Sequence, residues 1–398
     1  MEINVVASTK LGHISSKEEV LELAGKMSNI CYTKRTAEDI FNEDSNISIN
    51  RAKGVIKNGH HSVSEHPRYN YVISDIPKIL AMVLNNEGVY TTSEKSARYT
   101  KMKPTAEEQE KYNKWLQIFS DKIKEEYEEK FVLYNTKFPP KKKTPEEAAK
   151  IQIEKLAQEN ARYMLSVFTP TILGHSIDAR QLSYIRIWFE NFIQNAEDTM
   201  FNKMLKPYMS EFVEKTREQA IDEIEDKKNR TISMFDSRES RQEFFNECYS
   251  INYKGSFAEL AQAQRHRTLR YTMKFLKEPE FYVPLIIRNN EKLVDEWLSD
   301  ISSLVDRFPQ GMLVMINERG TYEDFIQKCS ERLCGCAQLE IALQTKKTLD
   351  KYIENVKETN KEVYDILLPY SRGARCMNGW HCAAPCVWGA KETFTRKV

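Results

Sequence analysis

"NNEGVYTTSEKSARY" (Asn85–Tyr99) and "AQRHRTLRYTMKF" (Ala263–Phe275) decide how this chain is read. Placing Asn86, Glu87 and Gly88 against Arg265, His266 and Arg267 sets Glu94, Ser96 and Arg98 against Met273, Phe275 and Lys277. The first stretch holds an acid, a hydroxyl and an arginine but no basic head. The second has the basic head and lacks that tail. Two complementary half-motifs in one chain read as a duplication in which each copy keeps one end. Further on, "SIDARQL" matches "MINERGT", which sets Asp178 and Arg180 against Asn317 and Arg319. The expected organisation is two tandem, divergent copies, residues 1–227 and a shorter one over 228–398.

Around these stretches the pattern alternates short strands with long helices. "INVVAS" reads as a strand, and "SSKEEVLELAGKMSNICY" as a Ser-capped helix. "NISINRAKGVIKNGHHSVSEH" predicts a helix ending at Gly59, "YNYVIS" a strand and "IPKILAMVLNN" a helix, leaving Glu94 in a loop. Helices follow over about 105–130 and up to about Arg162, then a strand in "TPTILGHSI" and a long helical stretch over about 179–227. "GSFAELAQAQRHR" reads as helix and "GMLVMI" as strand. A helix pair or one broken helix starts at Tyr322, with Cys334 and Cys336 as core thiols on opposite sides of it. The fold class is α+β, each copy a small sheet with long helices.

Hydrophobic residues make up 41% of the 398 positions, enough for a real core, and the net charge is +1. Near-neutrality argues against a broad nucleic-acid footprint, so an anionic ligand must be met by a local pocket. No apolar run is long enough to span a membrane and no secretory layout opens the chain, which points to a cytoplasmic protein. Eight cysteines in such a chain are expected as thiols rather than a disulfide framework. Cys376, His381, Cys382 and Cys386 lack the paired spacing of a structural zinc site, so no metal is expected.

In "EKSARY", Glu94, Ser96, Arg98 and Tyr99 resemble the tail of the signature of flavin-dependent thymidylate synthases, with Ser93 where Asn is usual. Arg265, His266 and Arg267 resemble its Arg-His-Arg head. "GHHSVSEH" (Gly59–His66), "ENARYML" (Glu159–Leu165), "RLCGCAQLEI" (Arg332–Ile341) and the cysteine-bearing tail "RCMNGWHCAAPC" are similar to further family elements, in the family's order. The resemblance implies transfer of a one-carbon unit from methylene-tetrahydrofolate to dUMP, giving dTMP, with FAD as hydride carrier and NADPH as hydride source. It implies that Glu94, Ser96, Arg98, Arg162 and Gln262 bind the nucleotide. His60, Ser62, Arg265, His266, Arg267, Asn317 and Arg319 would bind cofactor. Arg265, His266 and Arg332 would be catalytic, with Arg332 near the base. Family members are homotetramers whose sites take residues from several subunits. For a duplicated chain this implies a homodimer forming a tetramer-like assembly, in which each copy can lose the end that the other supplies. Phe275 and Lys277, where a second copy would need Ser and Arg, leave two other readings on the same fold. One is a related flavin- and folate-dependent modification such as hydroxymethylation, and the other is a non-catalytic protein that binds a nucleotide or a partner.

Overall fold

The computed structural model describes residues 1–8, 15–30, 33, 35–98, 100, 102, 104–225, 232–238, 241–382 and 385–398, with the backbone alone for 4–8 and 37. Tyr99 and the expected boundary at 227 and 228 lie outside the described residues. The chain begins with β1 (Glu2–Ser8), α1 (Lys17–Ile30), α2 (Ala37–Phe41), α3 (Ser45–Lys57), β2 (Arg68–Pro77), α4 (Lys78–Leu84) and β3 (Thr91–Glu94). A helical hairpin follows, α5 (Ala106–Lys137) and α6 (Pro145–Ala161), and then β4 (Pro170–Asp178), α7 (Ala179–Asn195) and α8 (Met200–Lys215). The rest comprises β5 (Phe244–Phe245), β6 (Cys248–Ser256), α9 (Phe257–Ala263), β7 (Arg270–Phe275), α10 (Glu291–Ser302) and β8 (Leu313–Thr321). It closes with α11 (Tyr322–Arg332), α12 (Leu339–Val356), α13 (Lys361–Leu367) and α14 (Gly389–Glu392).

Polar caps set the helix starts. Thr144 Oγ1 accepts from Glu147 N at 3.2 Å while Glu147 accepts from Thr144 N at 2.9 Å, and Pro145 supplies the first helical φ of α6. At the end of α3, Gly59 takes φ +89, a left-handed conformation that costs glycine little. No helix among the described residues is long and apolar enough to cross a membrane.

The chain forms two compact units, residues 1–95 with 170–234 and residues 96–169 with 235–398. This division by compactness differs from the one at 227 and 228, which remains a proposal about ancestry. The first unit holds an antiparallel sheet of order β1-β2-β4-β3. α4 is buried on every side there, from Ile79 to Leu84. The second unit holds an antiparallel sheet of order β5-β6-β8-β7. Its core gathers Trp115 and Trp297 edge to face at 4.9 Å, with Phe119 against them. Behind the sheet, the fully buried Lys328 and Glu318 pair at 2.5 Å, and Tyr249 donates to Glu318 at 2.7 Å.

Each sheet thus runs first, second, fourth, third strand. β2 carries a bulge at Asp75, a non-glycine residue at φ 55, and β6 has no such irregularity. The register corrects one sequence equivalence. Thr91 lies opposite Ser176, and Arg270 opposite Arg319. Asp178 then corresponds to Thr321, four residues beyond the match of "SIDARQL" to "MINERGT". Both are N-caps, accepting from Gln181 N at 2.8 Å and Asp324 N at 3.3 Å. Three local expectations also change. Glu94 ends β3 rather than lying in a loop. Arg265–Arg267 follow α9 in a turn. Cys334 and Cys336 lie between α11 and α12, outside any helix.

Candidate functional site

In the second unit a polar network joins residues from distant parts of the sequence. Gln338 is the N-cap of α12, yet its side chain makes no capping bond and reaches sideways instead. Its Oε1 accepts from Arg162 Nη2, at the C-cap of α6, and from Gln262 Nε2 on α9, while its Nε2 donates to Tyr163 OH. Tyr163 OH donates to Glu340 at 2.6 Å, and Ser256 adds its hydroxyl at 2.8 Å and its amide at 3.1 Å to the same carboxylate. Burial raises Glu340 above the usual carboxylate range and pulls the Arg162 guanidinium down. Arg162 Nε and Gln262 Oε1 are buried and have no hydrogen-bond partner among the described residues. An unused donor on a buried cation beside an unused acceptor is costly unless a ligand completes both.

The basic head joins this network through its central residue. Arg332 Nε donates to His266 Nε2 at 2.7 Å, and Arg332 Nη2 reaches the Gln262 carbonyl at 3.4 Å. Accepting at Nε2 leaves the His266 proton on Nδ1, so the ring is neutral. Burial, then the positive charges of Arg332 and Lys328, push its pKa down to about 2. Arg265 and Arg267 flank it on the exposed side of the turn.

Arg98 stands at the edge of a cavity of about 420 Å³ lined by α5, α6 and the chain end. It pairs with Glu159 through Nε at 2.6 Å and donates from Nη2 to the Cys336 carbonyl at 2.9 Å. Ser96 Oγ accepts from Arg98 N at 3.3 Å, which sets the turn between them. The Cys334 and Cys386 thiols both hydrogen-bond that of Cys336, a contact that lowers their pKa values and raises that of Cys336. Gly335 permits this approach, because a Cβ there would stand 2.8 Å from Cys386 Sγ. Among the described residues no group of three or more His, Cys, Asp or Glu could hold a metal ion.

The remaining candidates lie elsewhere. His60 and Ser62 line a cavity of about 400 Å³ in the first unit, together with Arg180 and Tyr184. Arg180 pairs with Glu65 at 2.5 Å and lies 5.7 Å over the Tyr184 ring, whose hydroxyl meets His61 Nδ1 at 2.6 Å. Glu94 is in the first unit too, its carboxylate buried and paired with Lys78 at 2.5 Å. Asn317 and Arg319 are on β8, and Asn317 lines a third, smaller cavity. Sequence reasoning missed Gln338, Tyr163 and Glu159 as site residues. It missed Arg180 too, whose signal was "DAR" at the start of α7, set aside when its role passed to Arg319.

No curated protein matches the chain. Among solved structures, the flavin-dependent thymidylate synthase ThyX from Helicobacter pylori complexed with FAD and dUMP is similar over 56% of this chain and 100% of that one, at 16% identity and TM-score 0.30. The UMP/dUMP methylase PolB from Streptomyces cacaoi bound with 5-Br dUMP is similar over 46% of this chain and 76% of that one, at 18% identity and TM-score 0.29. The family match is separate and rests on sequence: residues 11–187 match thymidylate synthase complementing protein, Thy1.

Proposed function

We propose that the chain is a flavin-dependent thymidylate synthase, transferring a one-carbon unit from methylene-tetrahydrofolate to dUMP and reducing it to the methyl of dTMP. The observation that carries this reading is the network in the second unit, where Arg162, from the first half of the sequence, is joined through Gln338 to Gln262 and onward to Arg332 and His266 from the second. Two half-motifs are each incomplete, and one compact unit gathers residues from both ends. This supports the view that a single chain supplies both parts of a nucleotide site.

Arg98 and Arg162 suit a phosphate of charge about −2 through planar, charge-assisted donors, with Ser96 completing the cradle. The unused Gln262 Oε1 accepts an O–H or N–H of the nucleotide. Arg332, hydrogen-bonded to a neutral histidine at 2.7 Å with the Glu331 carboxylate farther off at 3.9 Å, offers positive charge to negative charge developing on the base as the new carbon bond forms. For a flavin, the first unit offers His60, Ser62, Arg180 and Tyr184 as donors and an aromatic ring around one cavity. When bound, FAD supplies the hydride that completes the methyl group, renewed from NADPH. The assembly we infer is a homodimer.

Mass spectrometry of the nucleotide after incubation with FAD, NADPH, methylene-tetrahydrofolate and dUMP tests the reading, with Arg332→Gln as control. A methyl-sized gain that is lost in the control supports it. A hydroxymethyl-sized gain replaces it with the related modification, and the absence of both product and bound flavin leaves a binding protein.

A further inference from the structure

We propose that the polar face of the β6–β8–β7 sheet holds a small phosphate-bearing ligand, distinct from the flavin and from the nucleotide substrate. Directly opposed residues share a face of an antiparallel sheet. Tyr271 opposes Glu318 and Met273 opposes Ile316, and all four are buried in the core. On the other face Arg270 opposes Arg319, Thr272 opposes Asn317 and Lys274 opposes Met315. The segment before β5 runs along this face, Asp236 N bonding the Met273 carbonyl at 3.2 Å, and brings Arg238 and Arg241 over it. Arg238, Arg241, Thr272, Lys274, Met315 and Asn317 line a recess of about 190 Å³, the room of about six water molecules.

Two observations mark this recess as a ligand site. The first is charge. Arg238, Arg241 and Lys274 line it, and the opposed Arg270 and Arg319 stand on the same face, Arg319 feeling the charges of Arg238 and Arg241, in a chain whose net charge is only +1. Asp236 is the one carboxylate lining the recess, and it is already committed: it pairs with Arg241 Nε and accepts from Arg238 N at 3.2 Å. Glu243, beside it, is taken by Lys351 at 2.5 Å and by Asn252 N at 2.8 Å. Among the described residues no carboxylate lies within ion-pair distance of the guanidinium groups of Arg238, Arg270 and Arg319. Two like charges directly opposed on neighbouring strands destabilise a sheet, and Arg319 is half-buried as well.

The second is Asn317, 4% exposed. Its Nδ2 is fully used, facing Ser250 Oγ at 2.9 Å, Asn252 Oδ1 at 3.1 Å and the Ile251 carbonyl at 3.2 Å. Its Oδ1 has no partner among the described residues. A ligand with one or two phosphoryl groups and a neighbouring hydroxyl or amide donor satisfies both the cations and this acceptor. A nucleic-acid backbone fits less well, because the cations crowd one recess instead of tracking a stripe.

The test is calorimetric titration of the full chain with pyrophosphate at low salt. Arg238→Gln/Arg319→Gln is the variant, and Lys254→Gln is the control on the same face, paired with Glu280. The double variant is expected to bind at least tenfold more weakly and the control like the wild type. Without anion, Arg319→Gln is expected to melt at or above the wild type, since it removes the charge opposed to Arg270. Tighter binding of a nucleoside diphosphate than of inorganic phosphate assigns the phosphate to a nucleotide, and the reverse assigns it to the free ion. The proposal falls if pyrophosphate does not bind, if the double variant binds it equally, if Arg319→Gln lowers the melting temperature, or if bound FAD alone blocks pyrophosphate. Loss of dTMP synthesis has no bearing on any of these outcomes.

Discussion

Replacing Gln338 by leucine removes the acceptor on which Arg162 and Gln262 converge and the donor to Tyr163. A hydrogen bond to a charged group contributes about 1.5–3 kcal/mol and each neutral one about 0.5–1.5 kcal/mol. The three bonds together come to roughly 2.5–6 kcal/mol, and about 4 kcal/mol is the expected loss, because Arg162 remains buried with nothing in place of its partner. Leucine recovers little, since the neighbours it meets are polar. Urea unfolding followed by tryptophan fluorescence reads this directly, as Trp115 and Trp297 are fully buried in the same unit. With a slope of about 3 kcal/mol per molar, the midpoint should drop by roughly 1.3 M. Gln338→Met, with only a weak thioether acceptor and no donor, should behave nearly alike. A drop of less than about 0.3 M in both variants would mean that Arg162 is not held by this network, and the account of the site would be wrong.

Arg98→Gln should weaken dUMP binding about 10- to 100-fold, the loss of a charge-assisted phosphate contact; an unchanged Kd by calorimetry removes Arg98 from the site. His266 is depressed to about 2 in the folded chain against about 6.5 unfolded. Its contribution is therefore complete above pH 6.5 and shrinks by about 1.4 kcal/mol per unit as the pH falls towards 2. His266→Gln should flatten the acid limb of stability by about 2 kcal/mol between pH 7 and 5, and an imidazole that titrates above pH 5 by NMR contradicts this. His175 is buried, stacked on Tyr90 at 5.6 Å, with neither ring nitrogen hydrogen-bonded among the described residues. Burial pushes its pKa down to about 4. His175→Phe should raise the melting temperature, by about 1 kcal/mol of stability, and a loss of similar size would point to a hidden partner.

The fold class was legible because strand and helix differ in period, and the caps that begin α6 and α7 are written in Thr144 and Asp178 themselves. β6 and β7 were harder to see, since "CYSINYKGS" and "RYTMKF" mix aromatic and cationic residues on the two faces of a sheet. The half-motifs at Glu94–Arg98 and Arg265–Arg267 could be read from spacing. Gln338 could not, because its role arises from three segments that meet only in space. Asn317 and Arg319 were paired with Asp178 and Arg180 on residue type, whereas the geometry follows the cap at Thr321 and shifts the equivalence by four residues. That the helical stretch from Tyr322 is a pair or broken was read, but the place of the break at Leu333–Gln338 was not, because its single glycine does not by itself break a helical pattern.

The interleaving of the two compact units has a consequence for synthesis. By residue 234 the ribosome has made everything the first unit needs. The α5–α6 hairpin is then also complete, but Trp115, Phe119 and Phe131 are still waiting for partners such as Trp297 and Trp388. At about 5–20 residues per second, the remaining stretch takes roughly 8–33 s to appear. For that interval the nascent chain carries a long helical pair with its aromatic stripe uncovered. A messenger truncated near codon 234 would leave that stripe permanently bare, and its product would be a client for chaperones rather than a free-standing half enzyme.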